Sequence, residues 1–137
     1  LAGPYLPVLS PLARDLDAAD GNALNVNGDD AAAAIAAALD ADELLFVADV
    51  PGVLLGGSPV SRLEADEAAA AIASGAANGG MAAKLQAGVA ALERGVARVR
   101  IGDLDALLDP ARGTTLAPSR SSSRPPRSAA RSGPSAS

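Results

Sequence analysis

Apolar positions fall in short blocks, separated by Gly, Pro, Asp and Asn. Residues 4–12, PYLPVLSPL, predict a short buried strand flanked by prolines. DLDAADGNA reads as a polar turn, and LNVN as a second short extended piece. GDDAAAAIAAALDA predicts a helix, with Asp29 and Asp30 at its electropositive N-terminal end. The continuous apolar run ELLFVADV predicts a strand buried on both faces, and PGVLLGGSP a turn-rich loop. EADEAAAAIASG and GGMAAKLQAGVAALERG predict two further helices, closed by Gly75 and Gly95. VARVRI is another strand, DLDALLD a short helix and GTTL a last short strand.

Strands alternating with helices of this length predict an α/β fold with a mainly parallel sheet. Ligands on such sheets gather at the carboxyl ends of the strands, where NVNGDD, ADVPG and RIGD are expected. Residues 1–116 carry all the patterned segments and make one domain of the 137-residue chain. Residues 117–137 are a Ser/Arg/Pro-rich stretch with no apolar side chain larger than Ala or Pro, so a disordered tail is expected. The chain opens directly on a strand without a start Met, and a sheet of few strands would leave an apolar edge exposed. An amino-terminal part is therefore expected to be missing.

Composition narrows the chemistry. With one Tyr, one Phe and no Trp, the core must be built from Ala, Val, Leu and Ile, and the helices must approach the sheet closely. Alanine buries little area, so stability is expected to be modest for the length. The absence of Cys and His removes disulfides, thiol nucleophiles, Cys-based zinc sites and His-dependent triads. A reducing, cytoplasmic setting fits this; no signal peptide and no bilayer-spanning run is seen. The first 116 residues carry seven basic and sixteen acidic residues, a net of −9, which argues against a nucleic-acid partner.

Four stretches carry candidate chemistry, each with a plainer alternative. In NVNGDD, Asn25 and Asn27 alternate with Val26 and share one side of an extended segment. Amides at a strand end can bind a small polar ligand, and Asp29 can orient an ammonium group; the same residues also make a turn and helix cap. In ADVPGVL, Asp49 can accept hydrogen bonds from a ribose or base, or bond its own turn. In ANGGMAAK, Gly79 and Gly80 allow close backbone approach before a helix whose free N–H groups suit phosphate. Lys84, the only lysine in the chain, lies in or near the first turn, placed to reach a phosphoryl group or solvent. The Walker A spacing is absent. In RIGDLDALLD, Asp103 and Asp105 follow a strand end, Asp105 reading as a solvated helix residue.

In this order and spacing, YLPVLSPL, LNVNGDDAAAAIAAAL, ELLFVADVPGVL, EADEAAAAIASGAANGGMAAKLQAGVAALERGVARVRI and GTTL resemble the carboxy-terminal half of the amino acid kinase family. Among its members, the N-acetylglutamate kinases of arginine biosynthesis are most similar. The resemblance implies a three-layer α/β/α sandwich whose carboxy half holds the nucleotide. It implies transfer of the ATP γ-phosphoryl group to a carboxylate, with Mg²⁺ arriving with ATP and bound largely through phosphates and water. By the match to NVN-x-D, Asn25 would contact the N-acylated acidic amino acid and Asp29 would hold catalytic lysines in position. By the match to DVPGVL, Asp49, Val50, Pro51, Gly52, Val53 and Leu54 would line the nucleotide site. Ala76, Ala77 and Asn78, before GGM, would also approach it, and Lys84 would stabilise the transferring group. The full-length enzyme would be a homo-oligomer.

This sequence departs from the family pattern in places. The family's amino-terminal lysine-glycine-glycine strand, its glycine-rich substrate loop and its substrate-binding arginine have no counterpart here. Ala48 stands where Ser or Thr is usual, and Gly28 where Ala is usual. The expectation is that this chain alone shows no measurable kinase activity. Kinases of carrier-protein-bound aminoadipate or glutamate share the same half, and a non-catalytic nucleotide-binding module is a third reading.

Overall fold

The computed structural model describes residues 6–17 and 19–119. Twelve short elements follow one another: β1 Leu12–Arg14, β2 Ala23–Asn25, α1 Gly28–Ala38, β3 Glu43–Val47, β4 Leu54–Leu55 and β5 Ser58–Pro59, then β6 Arg62–Glu64, α2 Ala65–Ala73, α3 Gly79–Glu93, β7 Arg98–Gly102, α4 Leu104–Leu108 and β8 Thr114–Ala117. The main sheet has the order β3-β7-β8-β6. β3 runs parallel to β7, and β6 parallel to β8, while β7 and β8 are antiparallel. β1 and β2 form a separate antiparallel pair.

The helices start and stop where local chemistry dictates. Asn27 caps α1, its side chain accepting from the backbone N–H groups of Asp29 and Asp30. Glu64 and Glu67 form a capping box at the start of α2. Gly75 and Gly95 follow α2 and α3 with φ of 76° and 106°, the left-handed backbone that a glycine takes without a Cβ penalty.

Side-chain alternation divides the sheet into two faces. Phe46, Val99, Ile101 and Leu116 are buried on the face that α3 covers. Here α3 comes so close that a Cβ on Gly88 would lie 2.5 Å from Leu116 Cδ1 and 3.2 Å from Val99 Cγ1. The close approach expected of an alanine-rich core is thus realised at one glycine, with Ala87 and Ala91 beside it. On the opposite face, α4 packs over Gly102, where a Cβ would meet that of Ala106 at 2.6 Å. The layers are helix, mainly parallel sheet and helix.

Arg100 reaches into this second layer. It is 3% exposed, ion-paired with Glu43, and donates from Nη1 to the carbonyls of Ala106, Asp109 and Arg112. It ties the end of α4 and the following turn to the sheet.

Several expectations need correction. The strand expected at 4–12 begins only at Leu12; residues 4 and 5 lie outside the described residues. Leu6, Val8 and Leu9 are 89%, 91% and 64% exposed, since no sheet neighbour receives them among the described residues. β3 is not buried on both faces: Phe46 is buried while Val47, on the other face, is 45% exposed, and among the described residues β3 has a sheet neighbour on one side only. PGVLLGGSP is not all loop, because β4 and β5 pair across Gly56–Gly57. β6, in SRLE, was not anticipated. Ala117, assigned to the tail, closes β8 and is buried; residues 120–137 lie outside the described residues.

Candidate functional site

The site forms where β3 ends. Ala48 N–H donates to the Gly102 carbonyl at 2.7 Å, the last rung between β3 and β7. The chain then turns away from the sheet through Asp49 to Leu54. Opposite it, the exit from α2 is folded back by a bond from Ala77 N–H to the Ala71 carbonyl at 2.9 Å, which delivers Asn78 to the head of α3. Between these two segments lies a cleft of about 390 Å³, within the range of small-molecule sites. One wall is Ala48, Asp49, Val50 and Leu54; the other is Ala76, Ala77, Asn78, Gly80, Met81 and Lys84.

The head of α3 differs from those of the other two long helices. α1 has a side-chain cap and two acids in its first turn, and α2 has its capping box and two acids. α3 has no side-chain cap and no acid in the first turn. Its positive end, with glycines at the first two positions, is open toward the cleft and suits an anion.

Lys84 is the sixth residue of α3, in the second turn rather than the first. Its Nζ lies 3.1 Å from both Asp29 Oδ1 and Oδ2. The side chains are 21% and 19% exposed, so the pair is largely withdrawn from solvent, and its lysine lines the cleft. Packing of α1 against α3 brings together two residues 55 positions apart in sequence.

Of the residues expected at a nucleotide, Asp49, Val50, Leu54, Ala76, Ala77 and Asn78 line the cleft together with Lys84. Pro51, Gly52 and Val53 do not. Pro51 is exposed, Val53 is fully buried, and Gly52 lies against Thr114, where a Cβ would come within 2.7 Å of Oγ1. Asn25 stands on β2, exposed and paired with Leu12, and is not part of the cleft. In the same stretch, the cap reading holds for Asn27, whose Oδ1 accepts from Asp29 N–H at 2.9 Å and Asp30 N–H at 3.2 Å. Asp103 caps α4, and Asp105 pairs with Arg112 on the surface.

Met81 was not anticipated. Its signal was the helical period: Asn78, Met81 and Lys84 recur every third residue and share one face. Among the described residues, no three Asp, Glu, His or Cys side chains converge on a metal-sized site, and no helix is long and apolar enough to cross a membrane.

Residues 1–103 match the Amino acid kinase family, and the chain belongs to it. It is 45% identical over 104 residues to the acetylglutamate kinase of Roseiflexus castenholzii, covering 76% of this chain and 39% of that protein. It is 47% identical over 105 residues to the acetylglutamate kinase of Chloroflexus aggregans, covering 77% and 41%. The chain thus spans about two-fifths of the length of these curated relatives. Among solved structures, N-acetylglutamate synthase from Neisseria gonorrhoeae, complexed with coenzyme A and L-arginine, superposes with a TM-score of 0.69 at 29% identity. That match covers 80% of this chain and 27% of the synthase.

Proposed function

We propose that this chain forms the ATP-binding part of a kinase that phosphorylates the side-chain carboxylate of N-acetylglutamate. In that reaction the bond between the γ-phosphorus and its bridging oxygen breaks, a carboxylate oxygen takes its place, and ADP leaves. Phosphoryl transfer asks a protein mainly for positioning and charge compensation, so the lack of His and Cys is no obstacle.

One observation carries the reading: Lys84 and the open head of α3 face Asp49, Val50 and Leu54 across a single cleft. Val50 and Leu54 offer apolar surface to a base, and Asp49 offers an acceptor to a ribose or base. The phosphates would run toward the α3 N-terminus and Lys84. Asp29 would hold the lysine's ammonium at that end. Mg²⁺ would come with the phosphates.

The kinase reading is favoured by the names of the two curated relatives. The likeness to a synthase supports a second reading, in which the same half-fold binds a ligand without transferring phosphate. The Lys84–Asp29 pair at the cleft favours the first.

Amide resonances provide a test. A non-hydrolysable ATP analogue should shift Asp49, Val50, Asn78, Gly80 and Lys84 and leave the exposed face of α4 unchanged. Shifts confined elsewhere, or none at millimolar analogue, would overturn the assignment of the cleft.

A further inference from the structure

Thr114, in the GTTL stretch, is one of only two buried polar or charged side chains among the described residues. It is fully buried. Its Oγ1 accepts from Val53 N–H at 2.8 Å and donates to the Val60 carbonyl. Val60 N–H in turn donates to the Val53 carbonyl at 3.0 Å, closing a small network of three residues from separate segments. Gly52 is pressed against the same hydroxyl.

Thr114 is itself held firmly. Gly113 before it has φ +86°, and a Cβ there would lie 2.7 Å from the Ile101 carbonyl oxygen, so only glycine fits. Arg100 grips the Arg112 carbonyl at 2.9 Å one residue earlier. The hydroxyl therefore projects from a rigid support toward the underside of the Asp49–Leu54 segment. Within that segment, Val53 is fully buried, while Asp49, Val50 and Leu54 turn into the cleft.

We infer that Thr114 is a positioning residue for the cleft: its hydroxyl fixes Gly52–Val53 from beneath and thereby sets where Asp49, Val50 and Leu54 meet the ligand. This rests on the reading of the cleft as a nucleotide site. Removing the hydroxyl leaves the Val53 N–H and the Val60 carbonyl buried without that partner, and the segment must shift to satisfy them.

The test compares the 137-residue chain with Thr114→Val and Thr114→Ser. Affinity for a non-hydrolysable ATP analogue is measured well below each unfolding temperature, alongside hydrogen exchange at the Val53 amide. Valine keeps the volume and loses the hydroxyl; its affinity should fall about tenfold and Val53 should exchange faster. Serine keeps the hydroxyl and loses a methyl; it should melt lower yet bind within about twofold of the parent. A merely structural role would lower the melting temperatures and leave affinity unmoved. Should Thr114→Val fail to fold, Gly52→Ala pushes the segment off the same hydroxyl and should weaken binding likewise. Parent-like affinity in Thr114→Val, or in Gly52→Ala where that variant stands in, overturns the inference, as does equal weakening in Thr114→Val and Thr114→Ser. A parent chain that binds no analogue overturns the nucleotide reading itself, and this inference with it.

Discussion

Lys84 Nζ sits 3.1 Å from each carboxylate oxygen of Asp29, joining the second turn of α3 to the first turn of α1 beside the cleft. The geometry aims a single mobile ammonium at the open end of α3. An arginine could pair with the same carboxylate, but its planar fork would direct charge along fixed lines. Lys84→Arg should therefore keep the melting temperature within about 2 °C of the parent, while weakening ATP-analogue affinity several-fold. Unchanged affinity in that variant would show that the lysine serves the helix pairing alone.

A double-mutant cycle separates the pair's structural worth from its role at the cleft. With both side chains about a fifth exposed, the coupling between Lys84→Ala and Asp29→Ala should be about 1 kcal/mol in chemical denaturation. Lys84→Ala should lose analogue affinity. Asp29→Ala, which removes a negative charge near the phosphates, should not weaken binding by more than about threefold.

Asn27 offers a contrasting case. Its side chain caps α1 through Asp29 N–H and Asp30 N–H. Asn27→Ala should cost about 1 kcal/mol of stability. The cap supports the helix that carries Asp29, so a loss of nucleotide affinity beyond about threefold would show that Asn27 has a direct ligand role.

How far this could be read from the sequence depended on how local the determinants were. The three long helices were legible because their ends are marked nearby, by acids at the heads of α1 and α2 and by Gly75 and Gly95 after α2 and α3. Of the cleft lining, Asp49, Gly80 and Lys84 stand out in their own stretches, whereas Val50, Leu54, Ala76, Ala77 and Asn78 were expected there only through the family resemblance. β6 was missed because its three residues carry one apolar side chain, Leu63, too few for a period of two to register. The place of β3 at the sheet edge depends on strand order, which apolar patterning does not encode. The burial of Val53 and Gly52 away from the cleft depends on Thr114, 61 positions on from Val53 in the chain.

Arg100 makes a stability prediction. Arg100→Met removes a nearly buried guanidinium and deprives three carbonyls of their donor. The loss should be about 3 kcal/mol, roughly a 10 °C fall in melting temperature, read by circular dichroism. A fall below about 3 °C would mean that the 109–112 turn is held by other contacts.

Gly88 tests the packing argument. A methyl at this position would overlap Leu116 and Val99, while Ala favours the helix by about 1 kcal/mol. The clash should win, leaving Gly88→Ala about 1–2 kcal/mol less stable than the parent in urea unfolding. A stabilised variant would show that α3 can lift off the sheet at little cost.

The central claim is that the cleft between Asp49–Leu54 and the head of α3 binds a nucleotide through its phosphates. Calorimetric titration of the 137-residue chain with a non-hydrolysable ATP analogue and Mg²⁺ tests it most directly, with Lys84→Ala and Asp49→Ala alongside. Under the same conditions, MgATP and N-acetylglutamate with hydroxylamine are expected to give no hydroxamate, since the family resemblance implies a lysine-glycine-glycine strand that has no counterpart in these 137 residues. The account predicts one site in the parent, weakened about tenfold or more in each variant, with affinity falling as salt rises. Absence of binding in the parent, or equal binding in all three proteins, would contradict it.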